Sequence, residues 1–138
     1  MEQTKIKVDA DIQADVQKVW DYYTRPEHIT KWNFASDDWH CPRSENDLRA
    51  GGRMFSRMEA KDGSFGFDFE AIYDEVAEPE KITYSMADGR QATTSMEPNG
   101  TGTRVEIVFD SESVNPVEMQ QQGWQAILNN FKNYVENH

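Results

Sequence analysis

The sequence predicts an α+β protein in which a curved antiparallel sheet wraps around one long C-terminal helix. Residues 116–137 place apolar side chains at the 3.6-residue period of an amphipathic helix. Residues 48–110 form short strand-like runs separated by Asp-Gly, Asn-Gly and Glu-Pro turns. A helix with an apolar stripe must bury it against another layer, so we expect the sheet to cover the helix and to leave a cavity between them.

The first elements of the chain are a strand and two short helices. Residues 4–12 alternate apolar and charged side chains, which predicts a half-buried strand. From Asp15, a suitable N-cap residue, the apolar spacing becomes helical. The tetrapeptide Thr24-Arg25-Pro26-Glu27 has the pattern of a capping box with proline in the first turn, and it predicts the start of a second short helix.

Residues 33–50 predict a long loop anchored by a few aromatic side chains. They show no period and are rich in Asp, Ser, Asn and Pro. The remaining strands follow as an antiparallel meander, so that the sheet has six strands in all. These five strands are predicted at residues 53–59, 65–76, 81–86, 90–97 and 103–110.

The length and charge of the chain limit its architecture and its partners. Its 138 residues suffice for one domain, predicted to span residues 1–138, with a core that needs no disulfide or metal. The formal net charge of −11 opposes binding to polyphosphate backbones and to anionic membrane surfaces. We therefore expect no nucleic-acid partner.

Cysteine usage and hydropathy indicate a cytoplasmic protein. The chain has a single cysteine, Cys41, which cannot form an internal disulfide, and its N-terminal residues lack the apolar segment of a signal peptide. No apolar run approaches the ~20 residues that a membrane-spanning helix needs. We expect a reducing compartment and no membrane insertion.

Six segments of the sequence resemble one protein family in the expected order: VWDYYTRPEHITKW, DLRAGGRM, GFDFEAIYDEV, ITYSMADGR, GTRVEIVFD and QQGWQAILNNFKNYVE. They are similar to the activator of heat-shock protein 90 ATPase homologue branch of the START-like (SRPBCC) superfamily. The resemblance covers almost the whole chain and implies the helix-grip fold. Ala71 and Met96 depart from the family pattern, where glycine and an aromatic residue are common, and are expected to reshape the cavity wall.

Large apolar side chains from separate elements would meet between the helix and the sheet of this fold. Ligand pockets are mostly apolar, which suits such a set, although a closely packed core would use the same residues. We interpret the set as the lining of a ligand cavity. Its predicted members are Trp32, Trp39, Phe67, Phe69, Tyr84, Trp124, Leu128 and Phe131.

Three polar side chains are candidates for the few hydrogen-bonding groups of such a cavity: His40, Glu70 and Gln120. For Glu70 there is a simpler alternative. Strand alternation places Asp68 and Glu70 opposite Phe67 and Phe69, which favours a solvated carboxylate face paired with Arg53 or Arg57. The sequence therefore leaves the direction of Glu70 open between cavity and solvent.

No catalytic residue, metal site or cofactor is predicted. Asp37, Asp38, His40 and Cys41 lie together in the loop, but their spacing fits no closed metal motif. Cys41 has no recognisable His and Asp or Asn partners, so a plain thiol explains it better than a nucleophile. The glycine pairs precede strands and not helices, which argues against a phosphate-binding loop.

Three functions are compatible with these residues and with the resemblance. The first is a binding domain that holds a small hydrophobic or aromatic molecule, lipid- or polyketide-like, in the cavity. The second is a cyclase or hydrolase that uses the same cavity, with Glu70, His40 or Tyr84 transferring protons. The third is a chaperone-linked adaptor, implied by family analogy alone. An exposed edge strand, either residues 4–12 or an edge of the meander, would also allow two copies to pair as a homodimer.

Overall fold

The computed structural model describes residues 4–138, which form one antiparallel sheet and three helices. The sheet is curled, and its strand order is β1-β7-β6-β5-β4-β3-β2. The elements, in chain order, are β1 (Lys5–Ile12), α1 (Val16–Thr24), α2 (Pro26–Trp32), β2 (Trp39–Asn46), β3 (Arg53–Ala60), β4 (Gly66–Ala77), β5 (Lys81–Met86), β6 (Gln91–Asn99), β7 (Gly102–Asp110) and α3 (Val117–Asn137).

This architecture confirms the predicted helix-grip fold and corrects its strand count from six to seven. The additional strand is β2, which lies inside the segment predicted as a loop and pairs with β3 at the edge of the sheet. The ladder shifts register between His40 and Arg43, around Pro42, which has no N–H to donate. Because β2 is polar and bulged, the alternating pattern that reveals the other strands is missing from it.

The junction between the first two helices also differs from the prediction. The N-cap of α2 is Arg25, with Pro26 in the first turn, and no side chain caps the helix. Thr24 belongs to the last turn of α1, where its Oγ1 donates to the carbonyl of Trp20 at 2.8 Å. A threonine that bonds back along its own helix cannot also cap the next one, so the predicted capping box is wrong.

The long helix α3 covers the free edge of β1. Gln121 Nε2 donates to the carbonyl of Lys7 at 3.1 Å, and Gln125 Nε2 donates to that of Asp9 at 2.9 Å. These carbonyls face away from β7, where a neighbouring strand would otherwise bond. The edge of residues 4–12 is therefore occupied by glutamine side chains, which corrects the expectation that it is open for pairing between copies.

The core lies between the concave face of the sheet and the inner faces of the three helices. Phe131 and Val135 of α3 are fully buried, as are Trp20 of α1 and Phe109 of β7. Fully burying each such side chain contributes on the order of 1.5–3 kcal/mol. This core fixes α3 against one half of the sheet and leaves space beside the other half.

Candidate functional site

A cavity of about 290 Å³ lies between α3 and the concave face of β3, β4 and β5. Its wall is mostly apolar, with polar side chains at a few positions. The lining residues are Tyr23, Thr24, Ile29, Trp32, Asn33, Met54, Ser56, Met58, Phe67, Phe69, Tyr73, Ile82, Tyr84, Met86, Arg90, Ile107, Glu112, Trp124, Ile127, Leu128 and Phe131.

Strand alternation determines which side chains of the sheet reach the cavity. In β3 every second residue, Met54, Ser56 and Met58, points inward. The register pairs Ser56 with Phe69 and Met58 with Phe67, so these side chains stand beside each other on the same face. The same alternation brings in residues of β4 and β5, and together they form the floor of the cavity.

Aromatic side chains on the helices form the opposite wall. Trp124 of α3 stacks on Phe109 with ring centroids 3.9 Å apart and planes inclined by 11°. Trp32 of α2 meets the edge of Phe131 at 4.8 Å and stacks on Tyr23 at 5.3 Å. Each of these rings on the helices therefore packs against another aromatic ring of the core.

Three tyrosine hydroxyls belong to residues of the lining, and only two of them are hydrogen bonded. Tyr23 Oη lies 3.0 Å from Thr94 Oγ1, and Tyr73 Oη donates to Asn46 Oδ1 at 2.5 Å. Tyr84 is 5 % exposed, yet within residues 4–138 no group hydrogen bonds to its Oη. Within these residues no fully buried side-chain nitrogen or oxygen lacks a hydrogen-bond partner, so the unpaired Tyr84 Oη is open to the cavity and is not enclosed by protein atoms.

All three hydroxyls remain protonated at neutral pH. Burial raises the pKa of Tyr84 well above its ordinary value, and the neighbouring Tyr23 and Tyr73 raise it further, while the positive charge of Arg90 opposes the shift. Burial also raises the pKa of Tyr23 and of Tyr73, against the effect of their hydrogen bonds. The Tyr84 hydroxyl therefore keeps its proton and can donate a hydrogen bond, but it is a weak acid and is not available as a general base at neutral pH.

The structure brings seven of the eight predicted apolar site residues to the cavity. The exception is Trp39, at the start of β2, whose ring lies 5.8 Å from Phe65 and 6.1 Å from Phe67 but is not part of the lining. The additional strand explains the error, because β2 carries Trp39 to the far edge of the sheet. The seven that line the cavity are Trp32, Phe67, Phe69, Tyr84, Trp124, Leu128 and Phe131.

None of the three polar candidates lines the cavity. His40 Nε2 lies 3.5 Å from Glu59 Oε1 on the surface. Glu70 forms an exposed ion pair with Arg53, as the solvated alternative predicts, because it alternates with the inward-facing phenylalanines of β4. Of the three groups that the cyclase or hydrolase hypothesis would use for proton transfer, only Tyr84 lines the cavity.

Gln120 is buried, but it bonds to the segment before α3 and does not reach the cavity. Its Oε1 accepts from the backbone N–H of Glu112 at 2.8 Å, and its Nε2 donates to the carbonyl of Asn115 at 2.8 Å. The side chain therefore orders the connection into the helix. The departures at Ala71 and Met96 are likewise buried outside the lining, so they do not form the cavity wall as expected.

Several lining residues were not identified from the sequence. Met54, Met58 and Met86 occupy inward positions of strands, and the alternation of these strands was sufficient to find them. Tyr73 follows Phe69 by four residues on the same face of β4. Arg90 had no such signal, because it lies in the turn between β5 and β6, where no period applies.

The residues Asp37, Asp38, His40 and Cys41 of the predicted loop do not form a metal-binding cluster in the structure. Across residues 4–138 there is no group of three or more His, Cys, Asp or Glu side chains placed to bind a metal ion. Cys41 is buried, with its Sγ 3.5 Å from the carbonyl of Arg43, and burial raises the pKa of its thiol. No helix in the described part of the chain is both long and apolar enough to cross a bilayer.

A long helix held in a curled antiparallel sheet, with a cavity between them, defines a helix-grip domain of the START-like, ligand-binding type. The chain belongs to the family described as Activator of Hsp90 ATPase homolog 1-like protein, which matches residues 13–136. The resemblance noted in the sequence is thereby confirmed.

Solved structures agree with this assignment. An AHSA1-like protein from Aeromonas hydrophila is 42% identical, with a TM-score of 0.92 over 97% of this chain and 93% of that one. A protein from Cytophaga hutchinsonii is 47% identical, with a TM-score of 0.83 over 96% and 92% of the two chains. A protein from Chromobacterium violaceum, at 23% identity, shares the fold with a TM-score of 0.87 over 96% and 98%. No curated protein matches the chain.

Proposed function

We propose that this protein is a binding domain that holds a small hydrophobic or aromatic molecule, lipid- or polyketide-like, in the cavity between α3 and the sheet. The observation that carries the proposal is the cavity of about 290 Å³. Protein interiors are close-packed, and their voids are seldom much larger than a water molecule. A space of this size lies near the lower end of the roughly 300–1,000 Å³ typical of ligand pockets.

The chemistry of the wall supports an apolar ligand. Rings from α2, α3 and β4 face the space, and three methionines of β3 and β5 lie among them. Methionine side chains are flexible and polarisable, so they adapt to occupants of different shape. Burying apolar surface of the ligand contributes roughly 25 cal/mol per Å² before the costs of association. An elongated or bicyclic hydrocarbon skeleton suits this wall.

An NMR titration tests the proposal directly. Fatty acids and aromatic polyketides are added to the ¹⁵N-labelled protein, and the amide signals of Phe67 and Tyr84 and the signals of Trp124 are followed. Binding in the cavity is expected to shift these signals with saturation, while signals from the outer face of β2 remain in place. Shifts confined to the surface, or no saturable shift with any compound, would contradict the proposal.

A pair of variants separates cavity binding from surface adsorption. Ile127→Trp adds an indole to a residue of the cavity wall and is expected to weaken binding at least about tenfold, because it fills the space that the ligand needs. Gln122→Trp adds the same group to an exposed position of the same helix and serves as the control. Urea unfolding of both variants shows whether a loss of binding reflects a loss of folding.

Protein binding is a second candidate function, favoured by one surface feature. Phe65 and Phe67 are 62% and 43% exposed at the β3–β4 hairpin, where they contact Trp39. Exposed aromatic clusters of this kind are typical of protein interaction sites. Because the family takes its description from an activator of the Hsp90 ATPase, the partner to test is a chaperone of that class.

The adaptor function is tested with the purified chaperone. If it holds, this protein changes the rate of ATP hydrolysis by the chaperone, and Phe65→Ser removes the change because it removes an exposed ring that does not line the cavity. Val114→Ser, at an exposed apolar position away from the hairpin, is the matched control. An unchanged ATPase rate at saturating protein would exclude this function for that partner.

A further inference from the structure

The polar groups at one end of the cavity define what its ligand must carry. Tyr84 is the one tyrosine of the lining whose hydroxyl forms no hydrogen bond with any of the residues that the structure describes. Its residue is 5% exposed, and its side chain faces the cavity. A hydroxyl that no protein group pairs and that is open to the cavity can donate to an acceptor that a ligand brings there.

The register of the sheet places a second donor beside it. Tyr84 pairs with Ala92, and two residues further along the turn the backbone N–H of Met86 donates to the carbonyl of Arg90 at 2.8 Å. Residues at 84, 86, 90 and 92 therefore share the concave face, with Arg90 diagonal to Tyr84. The side chain of Arg90 is 20% exposed and lines the cavity, so it stands at the opening while Tyr84 lies inside.

The guanidinium of Arg90 has hydrogen-bond donors without a partner in the described part of the chain. Its Nε binds Asp88 Oδ2 at 2.7 Å, and within the described chain its two terminal nitrogens have no hydrogen-bond partner. A guanidinium only donates, and the Tyr84 hydroxyl remains protonated because burial raises its pKa. The acidic residue of the lining, Glu112, uses its Oε1 to accept from the backbone and side-chain amides of Asn115. Tyr84 and Arg90 thus supply unpaired donors at this end, while the second carboxylate oxygen of Glu112, which has no hydrogen bond within the described residues, is an acceptor of the lining.

Resting on the proposed binding function, we propose that the ligand carries a carbonyl or carboxylate oxygen, which accepts a hydrogen bond from Tyr84 Oη inside the cavity and from the terminal nitrogens of Arg90 at its opening. The hydrocarbon part of the molecule then lies against Phe69, Trp124 and the other rings. A hydrocarbon without such an oxygen leaves both donors unpaired, and the site discriminates against it for that reason. Arg90 adds charge complementarity when the oxygen belongs to a carboxylate.

Three probes with one skeleton test the inference: naphthalene, 2-acetylnaphthalene and 2-naphthoate. Their dissociation constants are measured by NMR titration with the parent protein and with the Tyr84→Phe and Arg90→Gln variants. Tyr84→Phe is expected to lower the affinity for 2-acetylnaphthalene relative to naphthalene by about two- to tenfold. Arg90→Gln is expected to lower the affinity for 2-naphthoate relative to 2-acetylnaphthalene by about tenfold, which would identify the carboxylate as the preferred oxygen.

Tyr134→Phe is the matched control, since it deletes a hydroxyl that bonds to His28 Nδ1 at 2.8 Å outside the cavity, and it should leave both affinity ratios unchanged. Urea unfolding of free Tyr84→Phe should keep its midpoint, because the hydroxyl has no bond to lose. Equal affinity ratios in the parent and in Tyr84→Phe would overturn the inference while leaving the binding function intact. If none of the three probes binds the parent, the binding function and this inference both fail.

Discussion

The two halves of the sheet meet the same helix in different ways. On one side, β1, β7 and the adjoining part of β6 pack directly beneath the helices, and Phe109 is fully buried against Trp124. On the other side, β3, β4 and β5 stand away from α3 across the cavity, and Phe67 on its wall is 43% exposed. The first half holds the helix, and the second half leaves room for a ligand.

This difference shows how one core serves stability and binding together. Side chains in the packed half have neighbours on all sides, so their burial contributes to the free energy of folding. Side chains on the cavity wall have no protein neighbours on the side that faces the cavity, so their contribution to the free energy of folding is smaller. The protein thus keeps its unfilled space where the rest of the structure does not depend on close contact.

The largest expected effect is the contrast between two phenylalanine truncations. Phe109→Ala should lower the free energy of unfolding by about 3–5 kcal/mol, because it removes a fully buried ring from a filled core. Phe69→Ala should cost only about 1–2 kcal/mol, because its partly buried ring already borders empty space. Urea unfolding monitored by tryptophan fluorescence measures both, and equal losses would contradict the division into two halves.

Most of the fold was predictable because local pattern and tertiary role agree. The strand at residues 4–12 and the helix at residues 116–137 each bury one regular face, so their periods appear in the sequence. The β2 strand was missed because it is an edge strand in which polar residues and Pro42 remove the alternation. Pattern reveals an element only where one of its faces is buried.

The candidate site was less predictable than the fold, for a related reason. Most aromatic residues of the lining, though not Tyr23 and Tyr73, were found because the fold brings their elements together. The polar candidates His40 and Gln120 were misplaced, since polar side chains follow local hydrogen bonds that no period records. The unpaired state of Tyr84 depends on the distance between its hydroxyl and every neighbour, which only the three-dimensional structure provides.

The second prediction concerns a buried charge at the edge of the packed half. Asp110 is 6% exposed; its desolvation raises its pKa, but hydrogen bonds from Lys5 and from the backbone N–H of Gln91 outweigh this and keep its pKa below the ordinary value. The ionised form therefore stabilises the native state. Asp110→Asn should lower the free energy of unfolding at pH 7 by about 1–3 kcal/mol.

The pH dependence of this effect follows from the sign of the shift. A carboxyl whose native pKa lies below its unfolded value contributes fully above the unfolded pKa, about 3.9 for Asp, and loses its contribution as the pH falls through the native pKa. The parent and Asp110→Asn should thus converge in stability below about pH 4. A difference that stays constant between pH 7 and pH 3 would show that charge is not its origin.

A smaller effect, of opposite sign, is expected in the middle of α3. Gly123 has a helical backbone, and a Cβ added there would meet no atom within 4 Å. Gly123→Ala should raise the free energy of unfolding by about 0.5–1 kcal/mol, because alanine loses less backbone freedom on folding. Thermal unfolding measures the gain. If Gly123→Ala destabilises the protein, α3 must approach a neighbour more closely at this position than the structure shows.

The smallest effect is expected on the outer face of the cavity half. Glu70 and Arg53 form an exposed ion pair there, on the side of β4 that faces away from the ligand space. Glu70→Gln should change the free energy of unfolding by less than about 0.5 kcal/mol, because solvent screens both charges. Binding of 2-acetylnaphthalene should also be unaffected, since the side chain does not reach the cavity. A binding loss of tenfold or more without a loss of stability would mean that the carboxylate turns inward when a ligand is present, and the polar end of the site would then include a second acceptor.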